Sequence, residues 1–321
     1  MYFNHNNNFF HGIMFHHFHD GVVHKNGQGS ISKDVFYKLI NFIGRENILD
    51  ANIFYEKFKK KILKEKEVCL TFDDSIKCQI DIALPVLEDL KIKSFFFTYT
   101  SLFEEKPDNL EIYRYFRMNY FTNVNDFYLM FYKFLNRNLE EFFRQNEKHI
   151  IITKCKFSFY STEDIKFRLV RNLIEKDEYE KIMINMMNEK KCDPNKLSSL
   201  LFCSKEDLIQ LDKLGHVVGL HSHNHPTLLE KLSYDEQKLE YDNCISIISK
   251  ILNKSKNDIK TMSHPCGSYN SDTLQILKDL GIELGFKQIM TIEAEKGMKK
   301  INNSFLEIAR EDHSEILKRM I

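Results

Sequence analysis

The chain has 321 residues, enough for one or two domains with a large core. Its 46 basic residues balance 46 acidic ones, so net charge argues for neither nucleic acid nor an anionic membrane surface as a partner. Seven cysteines at irregular spacing, with no Cys-x-x-Cys, speak against a disulfide framework, and with neither a signal-like N-terminus nor a run of about 18 apolar residues the expectation is a soluble cytoplasmic protein without a transmembrane segment.

Taken in order, residues 1–11 are rich in Asn and His and read as a poorly ordered tail. Gly12-Ile13-Met14-Phe15 then reads as a first strand, ending in His16, His17 and His19. Ser32 is placed to cap a helix whose Phe36, Leu39, Ile40 and Ile43 follow a 3.6-residue period. Val68-Cys69-Leu70-Thr71-Phe72 has the pattern of a buried strand and ends in Asp73-Asp74. Ile80, Ala83, Leu84, Leu87 and Leu90 return to helical spacing, and residues 93–99 read as the next strand.

From 101 to 200 aromatic and charged residues mix, Gly disappears, and Phe127, Met130, Phe131, Phe134 and Leu135 keep a helical period. The arginines of this stretch, Arg114, Arg117, Arg137, Arg144, Arg168 and Arg171, offer forks that match phosphate oxygens, although such arginines also serve as solvated salt-bridge partners. Beyond it, Ser204 caps a helix ending at Gly215, Val217–Leu220 reads as a strand ending at His221, and Ser233 caps a long helix. Strand 259–263 delivers His264-Pro265-Cys266-Gly267, helix 272–280 and strand 283–287 follow, and residues 305–309 read as the last strand, with Arg310 and Asp312 at its end. This alternation points to an α/β fold, a (β/α) barrel whose chemistry sits at the strand C-termini.

Two of those strand ends complement each other. The Asp-Asp pair alone reads equally as a helix N-cap with a solvated neighbour. His221 and His225, four apart, would share one side of a helical turn, and a carboxylate with two imidazoles is a hydrolytic rather than a structural metal set, because positions stay open.

Thr71-Phe72-Asp73-Asp74, His221-Ser222-x-x-His225-Pro226 and Pro265-Cys266-Gly267-Ser268-Tyr269-Asn270, in that order, resemble the motif series of the polysaccharide deacetylase family, the NodB-homology domain or carbohydrate esterase family four. The likeness covers roughly residues 12–100 and 200–310, so the barrel is expected in two parts, 12–100 and 201–321, around a helical insertion at 101–200. The insertion is either a cap over the substrate or a packing or dimerisation element. The resemblance implies that Asp74, His221 and His225 hold a divalent metal, Zn2+ or else Co2+, Ni2+ or Mn2+, and that Asp73 is the general base. It implies an oxyanion contact from the Cys266 N–H. Phe15-His16 stands where many members carry Tyr-His, so His16 would line the site.

The chain departs from the family in several places. Ser75 replaces the usual Gly, Ser263 replaces the arginine that orients the base, and no Leu-x-His motif supplies the general acid. His16, His264 and His313 are candidates for the acid, and Arg310 with Asp312 for the orienting network. The resemblance implies removal of an N-acetyl group from an amino sugar, nucleotide- or lipid-linked, in cell-surface polysaccharide or glycolipid synthesis. Alternatives are another amide, formyl or non-sugar, and an inactive carbohydrate-binding barrel. Oligomeric state is not legible.

Overall fold

The runs His11–Phe15 (β1) and Val68–Phe72 (β4) are buried at every residue, as strands covered on both faces must be. The computed structural model describes residues 2–4, 7–104, 109–156, 160–290 and 304–320. Between β1 and β4 lie the short pair Phe18–His19 (β2) and Ile31–Ser32 (β3), and after β4 come Phe95–Thr98 (β5), Val217–Leu220 (β6), Thr261–Ser263 (β7), Leu284–Phe286 (β8) and Arg310–Asp312 (β9). Seven of them form one parallel sheet in the order β8-β7-β6-β5-β4-β1-β9. Its two edges meet where Phe286 bridges to Ile308, so the sheet is a nearly closed barrel. Phe15 pairs with Phe72 and Phe72 with Phe96, which brings the residues after these strands to one rim.

The helices of the barrel unit are Lys33–Ile43 (α1), Ala51–Lys59 (α2) and Leu84–Asp89 (α3), then, after the insertion, Lys205–Lys213 (α11), Tyr234–Leu252 (α12), Ser271–Asp279 (α13) and His313–Leu317 (α14). Ser32 accepts from the Val35 N–H, and Ser204 and Ser233 each form a capping box, which satisfies N–H groups that a first turn leaves unpaired. The core is strongly aromatic. Phe15, Phe18, Phe36, Phe72 and Phe96 are buried and mutually packed, with Phe72 stacked on Phe96 at 4.7 Å, and burying each side chain contributes about 1.5–3 kcal/mol.

The chain divides into two compact units, residues 1–26, 30–108 and 202–321 forming the barrel unit and residues 27–29 with 109–201 the other. The second is helical: Leu110–Asn119 (α4), Val124–Leu135 (α5), Glu140–Gln145 (α6), Glu147–Lys156 (α7), Thr162–Leu173 (α8), Lys176–Glu189 (α9) and Pro194–Leu201 (α10). Within it Arg117 meets the buried Asp164 at 3.0 Å, Arg168 meets it at 3.5 Å, Arg137 pairs with Glu178, Arg144 with Glu141 and Arg114 with Glu111. These arginines are salt-bridge partners, which weighs against a phosphate cradle.

Three local expectations need correction. Tyr2 is buried, donating to Glu311 at 2.8 Å, and Asn7 bonds to the Asn4 N–H and the Tyr2 carbonyl, so the described residues of this stretch, 2–4 and 7–11, are packed rather than a loose tail. The last strand is Arg310–Asp312 itself, preceded by the bridge at Ile308. His221–His225 is not a helical turn: Ser222 and His225 have left-handed φ of 63° and 52°.

Candidate active site

β4 hands its chain to a strained connection. Asp74 has φ 76° and Ser75 φ 48°, and non-glycine residues in this region are held there by their surroundings, commonly at functional sites. Ser75 sits 2.5 Å from the Thr98 hydroxyl, and its carbonyl accepts from the Cys203 N–H. Beyond it the wide turn Gln79–Ala83 lets the Gln79 amide donate to the carbonyls of His16 and Asp73, tying two rim loops together.

Asp73 is buried and gripped. Arg310 Nη1 donates to Oδ1 and Nη2 to Oδ2, both at 2.8 Å. The other guanidinium donors reach the Lys287 carbonyl, the Thr71 hydroxyl and Ser263 Oγ, which itself donates to Asp73 Oδ2 at 3.1 Å. Every Arg310 N–H is used. Gly12 makes room for this arginine, since a Cβ there would lie 3.0 Å from Arg310 Cγ. Burial by itself would raise the Asp73 pKa, but Arg310, aided by His221 and His16, holds it below the ordinary carboxylate value.

Asp74, His221 and His225 converge, with one donor atom of each within 4.8 Å of the others. Asp74 Oδ1 is 3.2 Å from Nε2 of both histidines, yet it is buried without a hydrogen-bond partner. His221 Nδ1–H donates to the Ser263 carbonyl at 2.8 Å, which turns Nε2 toward a carboxylate oxygen and makes it the ring atom open to a cation. A buried carboxylate oxygen without a hydrogen-bond partner, converging with two imidazole nitrogens, is a donor set that fits a divalent ion. Burial raises the Asp74 pKa, and His225 and His221 more than reverse it, keeping the carboxyl well below its ordinary value.

Other residues singled out in the sequence divide. His16 Nε2 stands 3.9 Å from a carboxylate oxygen of both Asp73 and Asp74 and is partly exposed. Cys266 lies in the tight turn Pro265–Gly267 at φ 52°, its N–H in a first turn that lacks intrahelical acceptors. His264 is a poor acid: burial depresses its pKa to about 3, its Nε2–H donates to the Leu306 carbonyl, and its ring stacks on Tyr269 at 4.1 Å. His313 is bonded to the Met14 carbonyl and stacked on Phe15. Asp312 caps α14 by accepting from the Ser314 N–H and hydroxyl, so Ser263 rather than Asp312 joins Arg310 around Asp73. Gln79 was missed in the sequence because it reads as a helix position, and Thr71, quoted there only as the start of its motif, contacts Arg310 through its hydroxyl.

The family described as polysaccharide deacetylase matches residues 60–115 and 178–285, about half of the chain. Solved structures share the fold: the Streptococcus pyogenes deacetylase PplD in complex with acetate (17% identity, TM-score 0.54, covering 97% of this chain and 98% of that one) and a de-N-acetylase from Aggregatibacter actinomycetemcomitans (12%, 0.55, 97% and 99%). IcaB from Ammonifex degensii is similar at 13% identity and a TM-score of 0.52, covering 94% and 91%. No curated protein sequence matches the chain. The chain belongs to the polysaccharide deacetylase family, and its fold is the deacetylase (β/α) barrel.

Proposed function

We propose that the protein is a metal-dependent hydrolase that removes an N-acetyl group from an amino sugar. The observation that carries the reading is the adjacency of a buried, ionised carboxylate, Asp73, to the three converging donors of Asp74, His221 and His225. A divalent ion held by those donors would supply Lewis acidity, polarising an amide carbonyl and making a water more acidic. Zinc suits an Asp-His-His set, and cobalt, nickel or manganese can fill it.

Asp73 takes the proton of the attacking water, its carboxylate held in place by Arg310 and Ser263. The Cys266 N–H donates to the carbonyl oxygen as negative charge develops there. His16 is the preferred proton donor to the leaving amine, since it lies beside both carboxylates, while burial keeps His264 in its neutral form and its N–H is spent on the Leu306 carbonyl. A base gripped in this way has no use in a barrel that only binds sugars, which counts against that alternative. All seven cysteines are free thiols, supporting a reducing compartment and a substrate met inside the cell, on a nucleotide or lipid carrier of cell-surface glycan synthesis. Among the described residues, no helix is long and apolar enough to cross a membrane.

The test is acetate release from a panel of nucleotide- and lipid-linked N-acetyl sugars by metal-loaded wild type and Asp73→Asn. Release that falls about 10²–10⁴-fold in the variant at unchanged metal content supports the assignment. No release from any substrate despite bound metal would reject the N-acetyl sugar reading.

A further inference from the structure

The loop between His221 and His225 must hold an unfavourable backbone, left-handed at Ser222 and at His225. From the β5 side, the N–H groups of Thr100 and Ser101 donate to the His223 carbonyl at 3.2 and 2.9 Å. From the other side, Glu240 in the middle of α12 reaches in. Its Oε2 accepts from the N–H groups of His223 at 2.9 Å and Asn224 at 2.7 Å, and its Oε1 from the Asn224 side-chain amide at 2.7 Å. Glu240 is only 9% exposed, and a carboxylate so buried must have its oxygens satisfied. The donors that satisfy it here come from His223 and Asn224, two of the three residues between His221 and His225. Charge-assisted bonds to consecutive backbone N–H groups are among the stronger ones available to a loop.

We propose that Glu240 is a positioning residue that fixes the His223–Asn224 backbone so that His221 and His225 converge on Asp74, and thereby sets the affinity of that cluster for a divalent cation. The inference rests on reading those three residues as cation donors. Glu240 acts from a helix of 19 residues capped by Ser233, so its carboxylate is referred to a rigid element rather than to the loop itself. Gln at 240 keeps an oxygen for the two backbone N–H groups, and the Asn224 amide can turn to offer its own oxygen to the new NH2. Ala keeps neither bond.

Co2+ binding to metal-free wild type, Glu240→Gln, Glu240→Asp and Glu240→Ala, followed by visible absorption and by competition with a chelator, tests this. The melting of each metal-free protein is recorded beside it. Glu240→Ala is expected to bind Co2+ roughly 10–100-fold more weakly with an altered absorption band, and Glu240→Gln to recover most of the affinity. If Glu240→Ala does not fold, Glu240→Asp, which withdraws the carboxylate by one methylene, is read in its place with the same expected loss. Unchanged Co2+ affinity and absorption in a folded Ala or Asp variant overturns the assignment and leaves the cation site standing. Wild type that binds no Co2+ overturns both.

Discussion

Arg310 and Asp73, 237 residues apart in sequence, meet through two parallel hydrogen bonds of 2.8 Å. The guanidinium is the only cation whose planar fork can serve this carboxylate, two hydroxyls and a carbonyl at once, which a point-like ammonium cannot do. In Arg310→Lys, kcat for acetate release is expected to fall roughly 10–100-fold with KM little changed, because the base loses its orientation rather than the substrate its contacts. Arg310→Ala leaves a buried carboxylate unpaired and is expected to cost about 3–5 kcal/mol in urea denaturation. Wild-type kcat in a folded Arg310→Lys protein would contradict the orienting role.

Cation binding should be visible as stability. A ligand that binds only the folded protein adds about 2.7 kcal/mol at a hundredfold excess over its Kd. Wild type is therefore expected to melt higher with Zn2+ or Co2+ than after chelation, and Asp74→Asn or His225→Ala to lose that gain. Equal metal-induced shifts in the variants would place the ion elsewhere.

Gly219 in β6 is required by close approach. A Cβ added there would lie 2.5 Å from Thr261 Oγ1, 2.6 Å from the Thr261 carbonyl oxygen and 2.8 Å from the Phe97 ring. Backbone of the adjacent strand cannot step aside cheaply, so Gly219→Ala is expected to destabilise by about 1–3 kcal/mol in chemical denaturation. Since β6 leads directly to His221, metal affinity should drop in the same variant.

Acid should unfold the protein partly through buried neutral histidines. His216 accepts from the Ser94 N–H on Nδ1 and so carries its proton on Nε2, facing Glu88 at 3.2 Å. Burial pulls the His216 pKa down to about 4, and burial does the same to His11. Between about pH 4 and 6.5 the unfolded chain binds more protons than the folded one, so stability rises with pH across that window and is lost as pH falls through it. The loss is about 3 kcal/mol for each group. Urea midpoints at pH 7.5, 6 and 5 test this, and His216→Gln is expected to flatten the decline; an equally steep decline in that variant would exclude His216 as a contributor.

Much of the frame was legible because it is local. Ser32, Ser204 and Ser233 cap helices in the structure as their side chains and spacing require. The run Val68–Phe72 is apolar throughout because a parallel strand is covered on both faces. The N-terminal stretch was misread because its Asn-rich composition hides one anchoring ring, Tyr2, whose partner Glu311 lies at the far end of the chain.

The sequence by itself determined the chemistry on offer: an Asp-Asp pair at one strand end, His221 and His225 at another, and a Pro-Cys-Gly turn at a third. Side-chain identity and short-range spacing suffice for that. Only the tertiary structure decided how these groups are oriented. Ser263 stands in the position expected for an arginine, and it is Arg310, in a barrel that closes where Phe286 meets Ile308, that reaches Asp73 and Ser263. Likewise the two imidazoles converge through left-handed residues at Ser222 and His225 and not through helical spacing. Contacts of that kind depend on which strands become neighbours when the sheet curls shut, and no local periodicity encodes them.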